Sequence, residues 1–95
     1  MKPFQMTPID KIKHEQVGSY LQHMIPFNAG SARGRVMSRS KLYEVWSYNI
    51  LIGRVDIATR DVLYFDDTDY SATTSFIQRK FREVFIEIQE FAPEE

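Results

Sequence analysis

Cysteine is absent from this 95-residue chain, which excludes a disulfide framework and any thiolate-bound metal. Histidine occurs twice. His14 and His23 lack the i,i+4 spacing of a helical metal pair, and no third ligand is placed to complete a set. No Walker, dinucleotide or nucleophile-elbow glycine pattern occurs either. Few candidate general bases remain, so the expectation is a non-enzymatic protein with no metal and no cofactor. Long apolar runs are also missing. The longest, NILIGRV, is broken by Gly53 and Arg54 and falls far short of the ~18 residues of a membrane span. The opening MKPFQMTPIDKIKHEQ has no signal-peptide core or small-residue cleavage site. A cytoplasmic protein without membrane attachment is expected.

What is present is enough for a modest core. Hydrophobic residues make up 43% and aromatics 14% at a net charge of −1, which argues against disorder. The length suits one compact domain over residues 1–95, with 92–95 as a frayed tail. The small net charge conceals an asymmetry. Residues 1–60 hold nine Lys/Arg against four Asp/Glu, and residues 61–95 hold three against nine. Either the surface is dipolar or folding intermixes the two halves.

Periodicity changes twice along the chain. TPIDKIKHEQVGSYLQHMI opens with Thr7 as a candidate N-cap and Pro8 at the first helical position. Ile9, Ile12, Val17, Tyr20, Leu21 and Met24 follow at helical spacing, with Gly18 dividing the segment into one helix or two short ones. FNAGSARG reads as a loop. From RVMSR to VLYF, β-branched and aromatic residues predict three or four antiparallel strands. ATRD (58–61) is the clearest hairpin loop, and Asn49 is a weaker turn candidate. Ile77, Phe81, Val84, Ile88 and Phe91, widened by Phe85, restore helical spacing. The expected fold is α+β: an N-terminal helix or two, an antiparallel meander, and a C-terminal helix packed on the sheet. An aromatic stripe of Phe81, Phe85 and Phe91 could instead pair with a second copy, giving a homodimer.

Two surfaces carry positive charge. SARGRVMSRSK supplies Arg33, Arg35, Arg39 and Lys41, as an anion- or partner-binding cluster or as a solvated loop and edge strand. The last helix opens with Thr73, Thr74 and Ser75, one of which is expected to be its N-cap. Arg79 and Arg82 follow, and Glu83, Glu87 and Glu90 come later as an acidic partner surface. Bases early and acids late oppose the helix dipole. An anion bound at the first turn would offset that order, and so would Asp66, Asp67 and Asp69 just upstream. DDTDYSATTSFIQ is no calcium loop, because its sixth and twelfth residues counted from Asp67 are Ala72 and Gln78 rather than Gly and Glu. Trp46 and Tyr48 share one strand face with Tyr43 on the other, as a base-stacking platform or as core under the helix.

Tyr43, Val45, Ser47, Tyr48 and Ile52, then Tyr70, Ser71, Thr73, Thr74, Ser75 and Gln78, form the pattern Y-x-V-x-S-Y … Y-S-x-T-T-S-x-x-Q across residues 43–78. It resembles a family of small, poorly characterised proteins of bacteriophages and mobile elements. Where that pattern has alanine this chain has Gly53, and where it has histidine this chain has Ile77. The resemblance implies a phage or mobile-element origin and brings no activity with it. The resulting expectation is a small binding protein that engages a host macromolecule, foremost a host protein. The alternative is a nucleic-acid-binding accessory protein that uses the arginine cluster and the helix N-terminus.

Overall fold

The computed structural model describes residues 9–87. It is an α+β fold with one six-stranded sheet and both helices on one of its faces. In chain order the elements are β1 (Asp10–Lys11), a 3₁₀ turn (His14–Gln16), α1 (Val17–Gln22), β2 (Phe27–Ala29), β3 (Ala32–Met37), β4 (Leu42–Ser47), β5 (Ile50–Asp56), β6 (Val62–Phe65) and α2 (Ala72–Phe81), which continues as a π-helical turn, Arg82–Glu87. The strands lie in sequence order. Every pairing is antiparallel except that of β1 with β2, so the sheet is a meander with one short parallel strand at its edge.

Three expectations need correction. The meander has more strands than the three or four expected, because FNAGSARG is a strand, a turn and the start of a second strand. Gly30 takes φ 61 to make the turn, whereas Gly34 lies within β3, where a Cβ would strike the ring of Phe27 and the Tyr43 hydroxyl. One glycine serves the chain direction and the other serves packing, and composition alone does not separate them. Second, Ile9 to Lys13 are not helical. Lys13 caps the 3₁₀ turn through its own N–H, which donates to Gln16 Oε1 at 2.9 Å. Helix α1 begins only at Val17 and contains Gly18. The Thr7 cap and Pro8 lie outside the described residues. Third, Arg33 is not on an edge strand, since β3 pairs with both β2 and β4 over Ala32–Gly34, whereas from Arg35 onward it pairs with β4 alone.

The core lies between sheet and helices. Alternation on β4 sends Tyr43, Val45 and Ser47 inward and leaves Leu42, Glu44 and Trp46 on the other face. A bulge in β5 changes the parity of its strand. Val45 pairs with Gly53 and Trp46 with Leu51, so Ile52 is the extra residue. Ile52, Gly53 and Val55 are all buried. From the helices come Val17, Leu21, Ile77, Phe81 and Phe85, each no more than 1% exposed. Phe81 and Phe85 therefore belong to this chain's own core and are not free to pair with a second copy. Phe91, Ile88 and the 92–95 tail lie outside the described residues.

Among the described residues, no helix is long and apolar enough to cross a membrane.

Candidate interaction face

The two halves of the Tyr-Ser pattern meet inside the protein. Ser47 Oγ and Thr74 Oγ1 are hydrogen-bonded at 2.9 Å, both fully buried. Gln78, also buried, donates through Nε2 to the carbonyls of Asp66 and Thr68 and pins the β6–α2 loop against the helix. Tyr43 donates to the Ile25 carbonyl at 2.8 Å, and burial pushes its phenol pKa well above the usual value. The Ser47–Thr74 pair therefore stitches the β4–β5 hairpin to the last helix, while Tyr43 and Gln78 anchor neighbouring loops. Ile77, at the histidine position of the pattern, is buried in the core.

The fold divides the hydroxyl block at the helix start. Ser71 is the N-cap, not Thr73, Thr74 or Ser75, and its extended backbone turns the chain into α2. Thr74 faces inward to Ser47, and Ser75 is an exposed helical residue whose N–H donates to the Ser71 carbonyl. The adverse charge order has a local answer. Arg79 and Lys80 both contact the Glu83 carboxylate, at 3.8 and 3.5 Å. The Arg79 and Lys80 cations lie over the Phe76 ring, and the Arg82 guanidinium lies over Phe65. These cations rest on the faces of the aromatic rings at the rim of the core. Glu83 is thus engaged within the helix, Glu87 is half-buried, and Glu90 lies outside the described residues.

The loop before α2 uses Asp66 locally. Its carboxylate accepts from the Thr68 N–H at 3.0 Å and the Tyr70 hydroxyl at 2.7 Å. The Thr68 amide, then the Tyr70 hydroxyl, hold the Asp66 pKa below its ordinary value. A depressed carboxylate contributes stability that is complete above the unfolded pKa and is lost as pH falls through the folded one. Urea titrations from pH 6 down to pH 2 should therefore show stability declining with acid, and Asp66→Asn should flatten that decline. An unchanged slope in the variant would remove this role.

The arginine cluster divides. Arg39 and Lys41 are exposed in the β3–β4 turn, with Lys41 at φ 58. Arg33 and Arg35 lie on the open face of the sheet. Arg33 stacks over the Trp46 ring at 5.3 Å and donates to the Tyr48 carbonyl at 2.6 Å. Arg35 donates to the Phe27 and Gly34 carbonyls and to Asn28 Oδ1. Its burial, then the neighbouring Arg33, lowers its pKa. On the next strands Arg54 pairs with Glu44 at 2.9 Å, and the Trp46 indole N–H donates to the same carboxylate. Trp46 therefore belongs to the open face, and the inward aromatic of β4 is Tyr43. Tyr48 leaves the strand altogether. It occupies the β4–β5 turn at φ 55, and its N–H is held by the Ser31 carbonyl.

Residue pairing adds Leu51 beside Trp46 and Tyr64 beside Arg54 on this face. Among the described residues no helix covers it. Sequence reasoning missed Glu44, Arg54 and Leu51 as its members. Their i, i+2 alternation on paired strands was the available signal, but the β5 bulge disguises the parity. The histidines lie apart from this face. His14 stacks on Phe76, and His23 Nδ1 lies 3.0 Å from the Ser19 carbonyl. Among the described residues no group of three or more His, Asp or Glu could hold a metal ion.

Fold and face together define a two-layer α+β protein with a bare, arginine- and aromatic-bearing sheet surface. No protein-family model, no curated protein and no solved structure gives a significant match to this chain.

Proposed function

We propose that this chain is a non-enzymatic, cytoplasmic binding protein whose open sheet face engages another protein. On the resemblance to phage proteins, that partner is a host protein. One observation carries the choice of a protein over a nucleic acid. Arg33, Arg35 and Arg54 are each held in place by a guanidinium hydrogen bond to an acceptor of this chain, and Trp46 lies among them. Phosphate binding draws on cations free to replace counterions. Protein interfaces favour tryptophan, tyrosine and arginine held rigid before contact, because less side-chain freedom is then lost on binding. Arg39 and Lys41, exposed in the turn beyond Arg35, add positive charge at the rim, which suits a partner with carboxylates there.

The test places the photo-crosslinker benzoylphenylalanine at position 46 of the full chain, with a second probe at Ser19 on α1 as control. The expected result is a discrete protein adduct from position 46 alone. It should be lost when Arg33→Ala and Arg35→Ala are added in a variant whose melting curve shows that it remains folded. Equal adducts from both positions would overturn the reading. So would salt-sensitive binding of labelled DNA or RNA that depends on those arginines, which would transfer the face to nucleic acid.

A further inference from the structure

A second surface lies at the opposite edge of the sheet from β1. Strand β6 is last in the strand order and pairs only with β5, so the backbone along its far side has no strand partner among the described residues. An open edge is a template for another strand. Its side chains are unusually apolar for a bare edge: Leu63 is 55% exposed and Tyr64 43%. A bulge between Arg54 and Val55 leaves Leu63 as the extra residue of the strand.

Charge decides what can occupy this edge. The segment DVLYFDDTD (61–69) carries Asp61, Asp66, Asp67 and Asp69 and contains no lysine or arginine. None of these carboxylates forms a salt bridge among the described residues. The nearest cations are directed elsewhere: Arg60 over the Phe85 ring and onto the Gln22 carbonyl, Arg82 over Phe65, and Arg54 onto Glu44. A second copy is a poor occupant. Antiparallel self-pairing centred on Leu63 and Tyr64 would set Asp61 of each copy opposite Asp66 of the other, and like charges directly opposed are destabilising. A strand with basic flanks meets the same acids favourably.

We infer that the free edge of β6 takes an extended, lysine- or arginine-flanked peptide segment of a partner as an added antiparallel strand. The backbone of Val62–Phe65 supplies the hydrogen bonds, as in other strand-addition complexes. Leu63 and Tyr64 meet the alternate apolar side chains of the incoming segment, and Asp61 and Asp67 grip its basic ends. The edge shares Tyr64 with the open face but rests on the β6 backbone and on Asp61 and Asp67, so either assignment can fail without the other.

The probe is a capped nine-residue peptide of alternating valine and threonine with two lysines at each end, titrated into ¹⁵N-labelled full-length protein. A peptide with glutamates in place of the lysines is the control. Expected are amide shifts confined to residues 61–67 with the basic peptide only. Affinity should fall about ten-fold in Asp61→Asn/Asp67→Asn, two exposed changes that leave the spectrum of the free protein dispersed. Three results would overturn the inference: no shifts at millimolar basic peptide, equal response to both peptides, or shifts scattered beyond the edge. Sedimentation showing a dimer that Leu63→Asp dissociates would also overturn it, since the edge would then belong to a second copy.

Discussion

Gly53→Ala should destabilise the protein by about 2–3 kcal/mol, the cost of forcing a methyl into a filled site. Nothing about the position in sequence announces this, since the resembling pattern itself carries alanine there. The reason is Phe81. A Cβ on Gly53 would overlap the Phe81 ring at three of its carbons. That ring cannot easily withdraw, because it stacks on Phe65 at 5.3 Å and packs against Phe85 at 4.9 Å. Gly53 and Phe81 are thus a complementary pair, with the missing side chain on the strand making room for the large one on the helix. In melting experiments the substitution should lower Tm by roughly 10–20 °C, at the usual conversion for a domain of this size. Phe81→Leu alone should also destabilise, by loss of buried ring surface. Combined with Gly53→Ala it should cost less than the sum, with a coupling of about 1 kcal/mol or more. Strict additivity in denaturant titrations would show that the ring does not sit on Gly53.

The second large effect concerns the buried hydroxyl pair. Ser47→Ala and Thr74→Val should each destabilise by about 1–3 kcal/mol, because each leaves a buried hydroxyl without its partner. The double variant should cost little more than either single one, since both polar atoms are then gone and apolar groups of similar shape face each other. Urea titrations of the four proteins measure this directly. If the double variant costs the full sum, the two hydroxyls are not partners and the pattern has lost its structural account. The contact joins the end of β4 to the first turns of α2, 27 positions apart in sequence.

How much of this was legible beforehand depended on the range of the interaction. The Ile77, Phe81 and Phe85 stripe, the ATRD turn and the aromatic strands follow from spacing and turn chemistry, which act over a few residues. The extra strands were hidden for a local reason. Glycines, asparagine and small residues over 28–34 carry the marks of a loop, and only pairing of Phe27–Ala29 with β3 makes them a hairpin. The hydroxyl block misled differently. Thr73, Thr74 and Ser75 are equivalent cap candidates until the sheet is in place, and the cap itself lies upstream of all three. Ser47 then captures Thr74, and the extended backbone at Ser71 makes it the cap.

The arginines show the same division. Their number and neighbours are written in SARGRVMSRSK, and a basic surface is a fair inference from it. Whether a guanidinium is free or tied depends on acceptors supplied by other strands: the Tyr48 carbonyl for Arg33, Phe27 and Asn28 for Arg35, and Glu44 for Arg54. By itself, then, the amino-acid order determined the α+β class, the strand-rich middle, the amphipathic last helix and the charge asymmetry, because periodicity and composition are properties of neighbouring residues. The tertiary structure alone decided which face stays open, which edge stays unpaired and which polar groups are already satisfied. Those depend on strand register, and register is set by contacts between residues far apart in the chain.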